Sequence, residues 1–146
     1  MKIQIDVQNL QKRICIKPRA IASKIKKILH RKGVREASLS VAFVTDQRIK
    51  ALNKKFLNAN YATDVLAFDF LIPKKQKVKP KTINGEIVIS THAVCRQAKI
   101  FHASQSRELT LYIIHGILHL LGFDDHRGND IKRMRAEEKK LMEFVK

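Results

Sequence analysis

The sequence predicts a single α/β or α+β domain in which about five helices pack on a mixed sheet of about four strands. The chain has 146 residues, the size of one ordinary domain, and 45% of them are hydrophobic, which is enough for a core. Strand-like and helix-like segments follow one another in the order β-α-β-α-β-β-α-α-α. No internal repeat or long linker interrupts them, so we expect residues 1–146 to form one domain.

Four segments have the hydrophobic pattern of strands. Lys2–Val7 alternates apolar and polar residues, as a half-buried strand does, whereas Ser38–Val44 is apolar on both faces, which is typical of a central strand. We predict the other two strands at Val65–Leu71 and Glu86–Ser90. The dipeptide Asn84-Gly85 favours a tight turn, so we expect it to introduce the last strand.

The first two helices are predicted from their ends and their apolar stripes. Pro18 suits the first turn of a helix and Gly33 suits a helix end, so together they bound the first helix. Asp46 can cap the second helix by accepting a backbone hydrogen bond. We expect the second helix to bury the stripe Ile49, Leu52 and Phe56.

Three helices follow in the second half of the chain. We predict N-caps at Thr91 for the third helix, at Ser104 or Ser106 for the fourth, and at Asn129 or Asp130 for the fifth. The fourth helix is expected to run to about Leu121, because Gly122 suits the position just past a helix end. The fifth helix is expected to bury one stripe, formed by Ile131, Met134, Leu141, Met142 and Val145.

The charge of the chain indicates a polyanionic partner. There are 30 Lys and Arg residues against 13 Asp and Glu, a formal net charge of +17. A field of that sign favours nucleic acid, although a basic solvated surface gives the same composition. A membrane surface is less favoured, because no long basic amphipathic segment carries exposed aromatic residues. The lysines and prolines of Pro73–Thr82 predict an exposed loop that can add to a phosphate-binding surface. Its candidate RNA-binding residues are Lys74, Lys75 and Lys77.

The cysteines and the apolar segments favour a cytoplasmic protein. Cys15 and Cys95 are far apart, each among apolar residues, and we expect both to be reduced and buried, with no disulfide-linked partner. No apolar stretch reaches the roughly 18 residues of a membrane span. Charged residues interrupt the N-terminal segment where a signal peptide has its apolar core.

The segment Glu108–His126 carries a histidine pattern that predicts a metal site. His115 and His119 are four residues apart, so they lie on one face of the fourth helix, and His126 follows in a short acidic loop. Burying three imidazoles without partners is costly, and a metal ion gives all three a partner. Three protein ligands leave an open position for water, as in catalytic zinc sites. Zinc suits these ligands best, and nickel, copper or cobalt can also use them.

The remaining histidines lack such spacing, and we interpret His30, His92 and His102 as surface or structural residues.

The same segment favours hydrolysis of a phosphodiester over hydrolysis of a peptide. A metal ion with an open position activates water near neutral pH. In zincin proteases the metal helix reads H-E-x-x-H, and the Glu is the general base. Here Gly116 follows His115 on a zincin-like helix, so the peptide chemistry lacks its base, and the positive charge suits a phosphate backbone. We assign no general base from the sequence.

The segment His115–His126, H-G-I-L-H-L-L-G-F-D-D-H, resembles the signature of the YbeY family, metal-dependent bacterial endoribonucleases of ribosomal RNA maturation. Thr63–Phe68 is similar to that family's T-[DN]-V-L-S-F stretch, and Gly85–Ser90 is similar to its G-D-I-x-I-S strand. Residues 101–104 and 107–109 are also similar to the family before the metal helix.

The resemblance implies a zinc-dependent, single-strand-specific endoribonuclease of the cytoplasm. Its roles would be 3′-end maturation of small-subunit ribosomal RNA and ribosome quality control, with the small ribosomal subunit and assembly factors as partners. The metal ligands carried over are His115, His119 and His126. Two other hypotheses remain, namely a non-catalytic RNA-binding assembly factor with a structural metal, and a metal hydrolase of another substrate.

The chain departs from the family pattern at two positions. The family's third histidine usually stands six residues after the second, where this chain has Asp125, and His126 comes one residue later. We expect His126 to reach the ion through the longer loop, with Asp125 as the alternative ligand. Leu57 stands where the family commonly has an arginine, so either another cation such as Lys54 or Lys55 substitutes for it, or the nuclease activity is weakened.

Overall fold

The computed structural model describes residues 2–61, 63–71 and 81–146, and these residues form four strands and five helices. The elements are, in chain order, β1 (Lys2–Asn9), α1 (Pro18–Arg31), β2 (Val34–Val44), α2 (Asp46–Leu57), β3 (Val65–Asp69), β4 (Lys81–Ser90), α3 (Thr91–Ile100), α4 (Gln105–Leu120) and α5 (Gly128–Phe144). The predicted α+β class is therefore confirmed. Among the described helices, none is long and apolar enough to cross a membrane.

The sheet is mixed, with the strand order β1-β2-β4-β3. β2 pairs in parallel with both β1 and β4, whereas β3 runs antiparallel to β4. The prediction that β2 is a central strand is confirmed. Its last four residues, 41–44, are all buried because helices cover both faces of the sheet.

The two faces of the sheet carry cores of unequal size. Val41 and Phe43 of β2 point into the larger core, which α1 and α4 cover, whereas Ala42 and Val44 point into a smaller cluster beneath α2. Alternation along β4 follows the same rule. α4 therefore lies on the larger core, and this placement fixes the height of its histidines above the sheet.

Gly116 permits the close approach of α4 to β4. A Cβ atom at this position would lie 2.7 Å from Cγ2 of Ile87, which is fully buried. The glycine between the two histidines is thus required by packing, which explains why a larger residue is absent there. No local sequence pattern predicts this contact, because Ile87 lies on another element.

We expect Gly116→Val to destabilise the fold by about 1–3 kcal/mol, because the added methyl groups overpack a closed interface. The measurement is the free energy of unfolding from urea titration. Gly128→Ala is the matched control, since a Cβ there meets nothing within 4 Å, and its effect should stay within about 0.5 kcal/mol. Equal stability of wild type and Gly116→Val would contradict the packing argument.

Two strand boundaries differ from the predictions. β4 begins at Lys81, so Asn84 and Gly85 lie inside the strand and the predicted turn is wrong. The reason is pairing on both sides, since Gly85 pairs with Leu39 of β2 and with Asp69 of β3. β3 ends at Asp69, before the predicted Leu71. The predicted lysine-rich loop falls mainly outside the described residues, and so do Lys74, Lys75 and Lys77.

The helix caps also correct the predictions. Thr45, rather than Asp46, caps α2, and Ser90, rather than Thr91, caps α3, each by accepting a backbone N–H at 3.2 Å. Ser104 caps α4, as one of the two predicted candidates. Arg127 stands at the N-cap of α5 and forms no side-chain cap, so the predicted caps at Asn129 and Asp130 are wrong. The carboxylate of Asp46 forms an ion pair with Arg96 instead, at a distance of 2.6 Å.

Three residues predicted to be buried are exposed. Phe56 is 57% exposed, because Asn53 takes the inward position on α2 and donates a hydrogen bond to the Tyr61 carbonyl at 3.0 Å. Ile131 is 37% exposed because it lies at the cleft described below rather than in the core. Cys15 is exposed in the segment between β1 and α1, whereas Cys95 is buried as predicted.

Candidate metal centre

One face of α4 forms the wall of a cleft of about 550 Å³. Glu108, Tyr112, His115 and His119 follow one another at three- or four-residue spacing, so they form one stripe along that face. The opposite wall comes from α5, and the segment 63–65 closes one side. The helix that the histidine spacing predicted therefore carries its polar stripe into a concave site.

Two imidazoles and one carboxylate converge at one end of the cleft. Nε2 of His115 lies 3.1 Å from Nε2 of His119, and Oδ2 of Asp125 lies 3.6 Å from each of these nitrogens. Donors bound tetrahedrally to zinc at its usual bond lengths are about 3.3 Å apart. The three atoms match that spacing, so these residues fit a small divalent metal ion.

His126 is not part of this cluster in the structure. Its side chain is 83% exposed, and its Nε2 lies 3.3 Å from Oδ1 of Asp124, in a second, exposed group on the loop that shares Asp125 with the first. The loop turns back sharply after α4, where Gly122 has a φ of 98° and the Phe123 N–H donates to the Leu118 carbonyl. This turn directs Asp125 toward the histidines and the adjacent His126 outward. His126 therefore lies outside the cluster of His115, His119 and Asp125, and its role as a metal ligand stays a prediction.

Glu138 holds the ring of His115 from behind. Its Oε2 lies 2.6 Å from Nδ1 of His115, and the residue is only 9% exposed. A carboxylate on the second ring nitrogen fixes the orientation of a metal-binding imidazole and leaves Nε2 to face the ion. Sequence reasoning missed this residue. The available signal was an acidic side chain on the inward stripe of α5, between the buried Met134 and Leu141.

We expect Glu138→Gln to weaken metal binding by about 10- to 100-fold, because the ring of His115 loses its charged partner. Competition with a chromophoric chelator measures the affinity. Glu137→Gln is the matched control, because the neighbouring carboxylate pairs with Lys32 at 2.9 Å instead of with the cluster. If both variants bound the metal equally tightly, Glu138 would have no orienting role.

The electrostatics of the cluster favour neutral imidazole at His119. Burial lowers the pKa of His119, and the adjacent His115 lowers it further, while the carboxylate of Asp125 acts in the opposite direction. Metal ions bind the neutral form of histidine. The surroundings of His119 therefore favour the form that a metal needs.

The other predicted site residues lie away from this cluster. Lys54 and Lys55 are exposed in the last turn of α2, and Leu57 ends that helix with 57% exposure. None of the three lines the cleft as far as the structure describes it. Among the other histidines, His30 is exposed, His92 accepts a hydrogen bond from the Asp46 N–H, and His102 lies in an exposed turn.

The fold and the site together define a class: an α+β protein whose zincin-like helix presents two histidines to a cleft, with an acidic loop returning beside them. Within that class the chain belongs to the YbeY family. The family described as Endoribonuclease YbeY matches residues 6–146, so the resemblance seen in the sequence motifs is confirmed.

Individual relatives match over nearly the whole chain. The protein named Endoribonuclease YbeY of Syntrophus aciditrophicus is 34% identical over 144 residues, which cover 99% of this chain and 89% of the relative. The protein of the same name from Thermodesulfovibrio yellowstonii is 33% identical, with 100% and 99% covered. The solution structure of TM1509 from Thermotoga maritima superposes with a TM-score of 0.66 at 28% sequence identity. The match covers 97% of this chain and 89% of the TM1509 chain.

Proposed function

We propose that this protein is a zinc-dependent endoribonuclease that cleaves single-stranded RNA in the cytoplasm. Its substrate would be ribosomal RNA, at the 3′ end of the small-subunit species, and its partners the small ribosomal subunit and assembly factors. A role in ribosome quality control belongs to the same proposal. The observation that carries it is the cluster of His115, His119 and Asp125 inside a cleft, in a chain with a net charge of +17 and relatives named Endoribonuclease YbeY.

His115 and His119 would hold the ion, and the third ligand would be Asp125, with His126 as the alternative if the loop rearranges. When bound, the ion supplies Lewis-acid chemistry for hydrolysis of a phosphodiester. The chain's own contribution is orientation. Glu138 fixes the ring of His115, and the packing of Gly116 on Ile87 holds both imidazoles on one rigid helix. A site built on a regular element keeps its reacting groups precisely placed.

Arg135 of α5 also lines the cleft, and it offers a planar guanidinium where a phosphate backbone can bind. It is a candidate for the cation that Leu57 cannot supply. We expect Arg135→Gln to raise the KM for RNA by about tenfold, with a smaller change in kcat, because one charged phosphate contact is lost. Lys132→Gln, on the same helix but outside the described cleft lining, is the control. Equal KM values for the two variants would remove Arg135 from the binding surface.

The proposal is tested by incubating the purified protein with single-stranded and duplex RNA of the same sequence. We expect cleavage of the single strand only, loss of cleavage after chelation, and recovery when zinc is restored. Nickel and cobalt in the recovery step test which ion works best. Cleavage that persists at full rate in chelator would refute metal dependence.

A second candidate is a non-catalytic RNA-binding assembly factor in which the metal stabilises the loop. The exposed Leu57 favours this second candidate, because a leucine side chain has no charge or hydrogen-bond donor for a phosphate group. In that case RNA binding would weaken steeply with salt, would not change on chelation, and no cleavage would accompany it.

A further inference from the structure

The cleft extends well beyond the metal cluster, and its wall contains a carboxyl group that contacts the cleft and has no hydrogen-bond partner among the described residues. Glu108 is only 6% exposed and lines the cleft, yet no hydrogen bond or ion pair joins it to any residue that the structure describes. Buried carboxyl groups are normally hydrogen-bonded or paired, because desolvation without compensation is costly. A side chain left in this state at the wall of a cleft points to a ligand that completes it.

Glu108 is too far from the metal cluster to serve the reacting bond. It stands seven residues before His115 on α4, which corresponds to roughly 10 Å along a helix axis. Proton transfer at the cluster requires contact at hydrogen-bond distance. A contact with a part of the substrate beside the cleavage position is consistent with this separation.

The same cleft contains an aromatic ring that the fold leaves uncovered. Phe101, just past the end of α3, is 67% exposed and lines the cleft, and the amide-bearing Gln97 lines it one helical turn earlier. Proteins that bind single-stranded RNA stack unpaired bases on exposed aromatic rings and read base edges with polar side chains. A stacking surface and unpartnered polar groups are the parts of a site for one base.

We propose that Glu108, Gln97 and Phe101 form a binding site for one nucleobase that carries an exocyclic amino group, beside the metal cluster. This inference rests on the proposed function, because it assumes an RNA substrate. Phe101 would stack on the base, and a carboxyl oxygen of Glu108 would accept a hydrogen bond from the amino group. Adenine, cytosine and guanine have such a group and uracil does not. A phosphate group is a poor occupant, because a carboxyl group offers it no positive charge.

The surroundings of Glu108 support binding of a neutral group. Burial raises the pKa of Glu108, and the adjacent Arg107 acts in the opposite direction. Tyr112, one turn along the stripe, has a buried hydroxyl that lies close to Asp64 but forms no hydrogen bond of ordinary geometry with a described residue. Burial, followed by the charges of Asp64 and Glu108, raises the pKa of Tyr112 as well. Surroundings that disfavour charge on both groups suit an uncharged base edge better than an ionic ligand.

The test uses the full chain and a set of single-stranded RNA oligonucleotides in which each position near the cleavage position carries each of the four bases in turn. We expect one position at which adenine, cytosine or guanine is preferred over uracil by about tenfold in kcat/KM. Glu108→Leu should abolish that preference, and Glu108→Gln should retain part of it, because the amide still accepts a hydrogen bond. Glu143→Leu, an exposed acidic residue on α5, should keep the full preference.

Thermal unfolding distinguishes a binding role for Glu108 from a structural one. If the carboxyl is kept for a ligand, Glu108→Leu should raise the melting temperature of the free protein by a few degrees, since an apolar side chain replaces a largely buried polar one that has no described partner. The gain should be larger at pH 8 than at pH 5. The raised pKa means that the folded state loses stability as pH rises and Glu108 ionises. A lower melting temperature in the variant at both pH values would indicate a structural role and overturn the proposal.

Equal cleavage of all four bases at every position, or an unchanged preference in Glu108→Leu, would overturn the base site and leave the proposed function intact. If wild type cleaves no RNA, equilibrium binding of the same oligonucleotides decides the matter. Tighter binding of the amino-bearing bases that Glu108→Leu abolishes would support the site without the nuclease activity. Binding that does not distinguish the bases would overturn it.

Discussion

Replacing His119 by alanine is expected to lower RNA cleavage by roughly 10³-fold or more and to remove most of the bound metal. The imidazole supplies one of three converging donors, with Nε2 at 3.1 Å from His115 and 3.6 Å from Asp125. The remaining pair offers only one nitrogen and one carboxylate oxygen. Metal content per chain and the initial rate of cleavage of single-stranded RNA are the two measurements.

His30→Ala is the control for this variant, because His30 is exposed at the end of α1 and lies outside the described cleft lining. It should keep both the metal and the rate of wild type. If His119→Ala lost the metal but cleaved RNA as fast as wild type, the activity would belong to a contaminating nuclease. Loss of metal without loss of RNA binding is expected under both proposed functions.

The second large effect is expected at Asp125. Asp125→Ala should weaken metal binding by at least about 100-fold, because its Oδ2 completes the donor triangle, whereas His126→Ala should change it by less than about threefold. Asp125→His should retain metal binding, since an imidazole at this position matches the spacing that is usual in the family. Chelator competition gives all three affinities.

If His126→Ala weakened metal binding strongly and Asp125→Ala did not, the loop would rearrange when the metal binds. His126 would then be the third ligand. The side chain of His126 is 83% exposed, and it shares the neighbouring Asp125 with the histidine cluster, so a rearrangement of the loop could bring it to the ion. The comparison of these variants thus decides between the two ligand sets that the sequence left open.

Much of the fold followed from local patterns in the sequence. The alternation in Lys2–Val7 and the doubly apolar Ser38–Val44 predicted strands β1 and β2, and the four-residue spacing of His115 and His119 predicted their common face on α4. Such patterns are reliable because helix and strand periods act over a few residues. The caps lie one residue before the predicted positions, at Thr45 and Ser90, because the side chains of Asp46 and Thr91 bond to residues on other elements.

Other features depended on residues that are distant in sequence. β4 extends back to Lys81 only because β2 is present to pair with it, and Asn53 replaces Phe56 on the inward face of α2 because Tyr61 offers a carbonyl. Glu138 stands 23 residues after His115, so no local pattern could join them. Packing of α5 against α4 decided that contact.

The sequence by itself determined the α+β class, the histidine-bearing helix and the positive charge, because each depends on composition or on spacing within one element. Tertiary structure decided which loop side chain returns to the histidines, which carboxylate holds His115, and that Glu108 lines the cleft without a hydrogen bond to any described residue. The first depends on the direction of the tight turn after α4, and the other two depend on how separate helices pack together. Both are set by the balance of packing over the whole core.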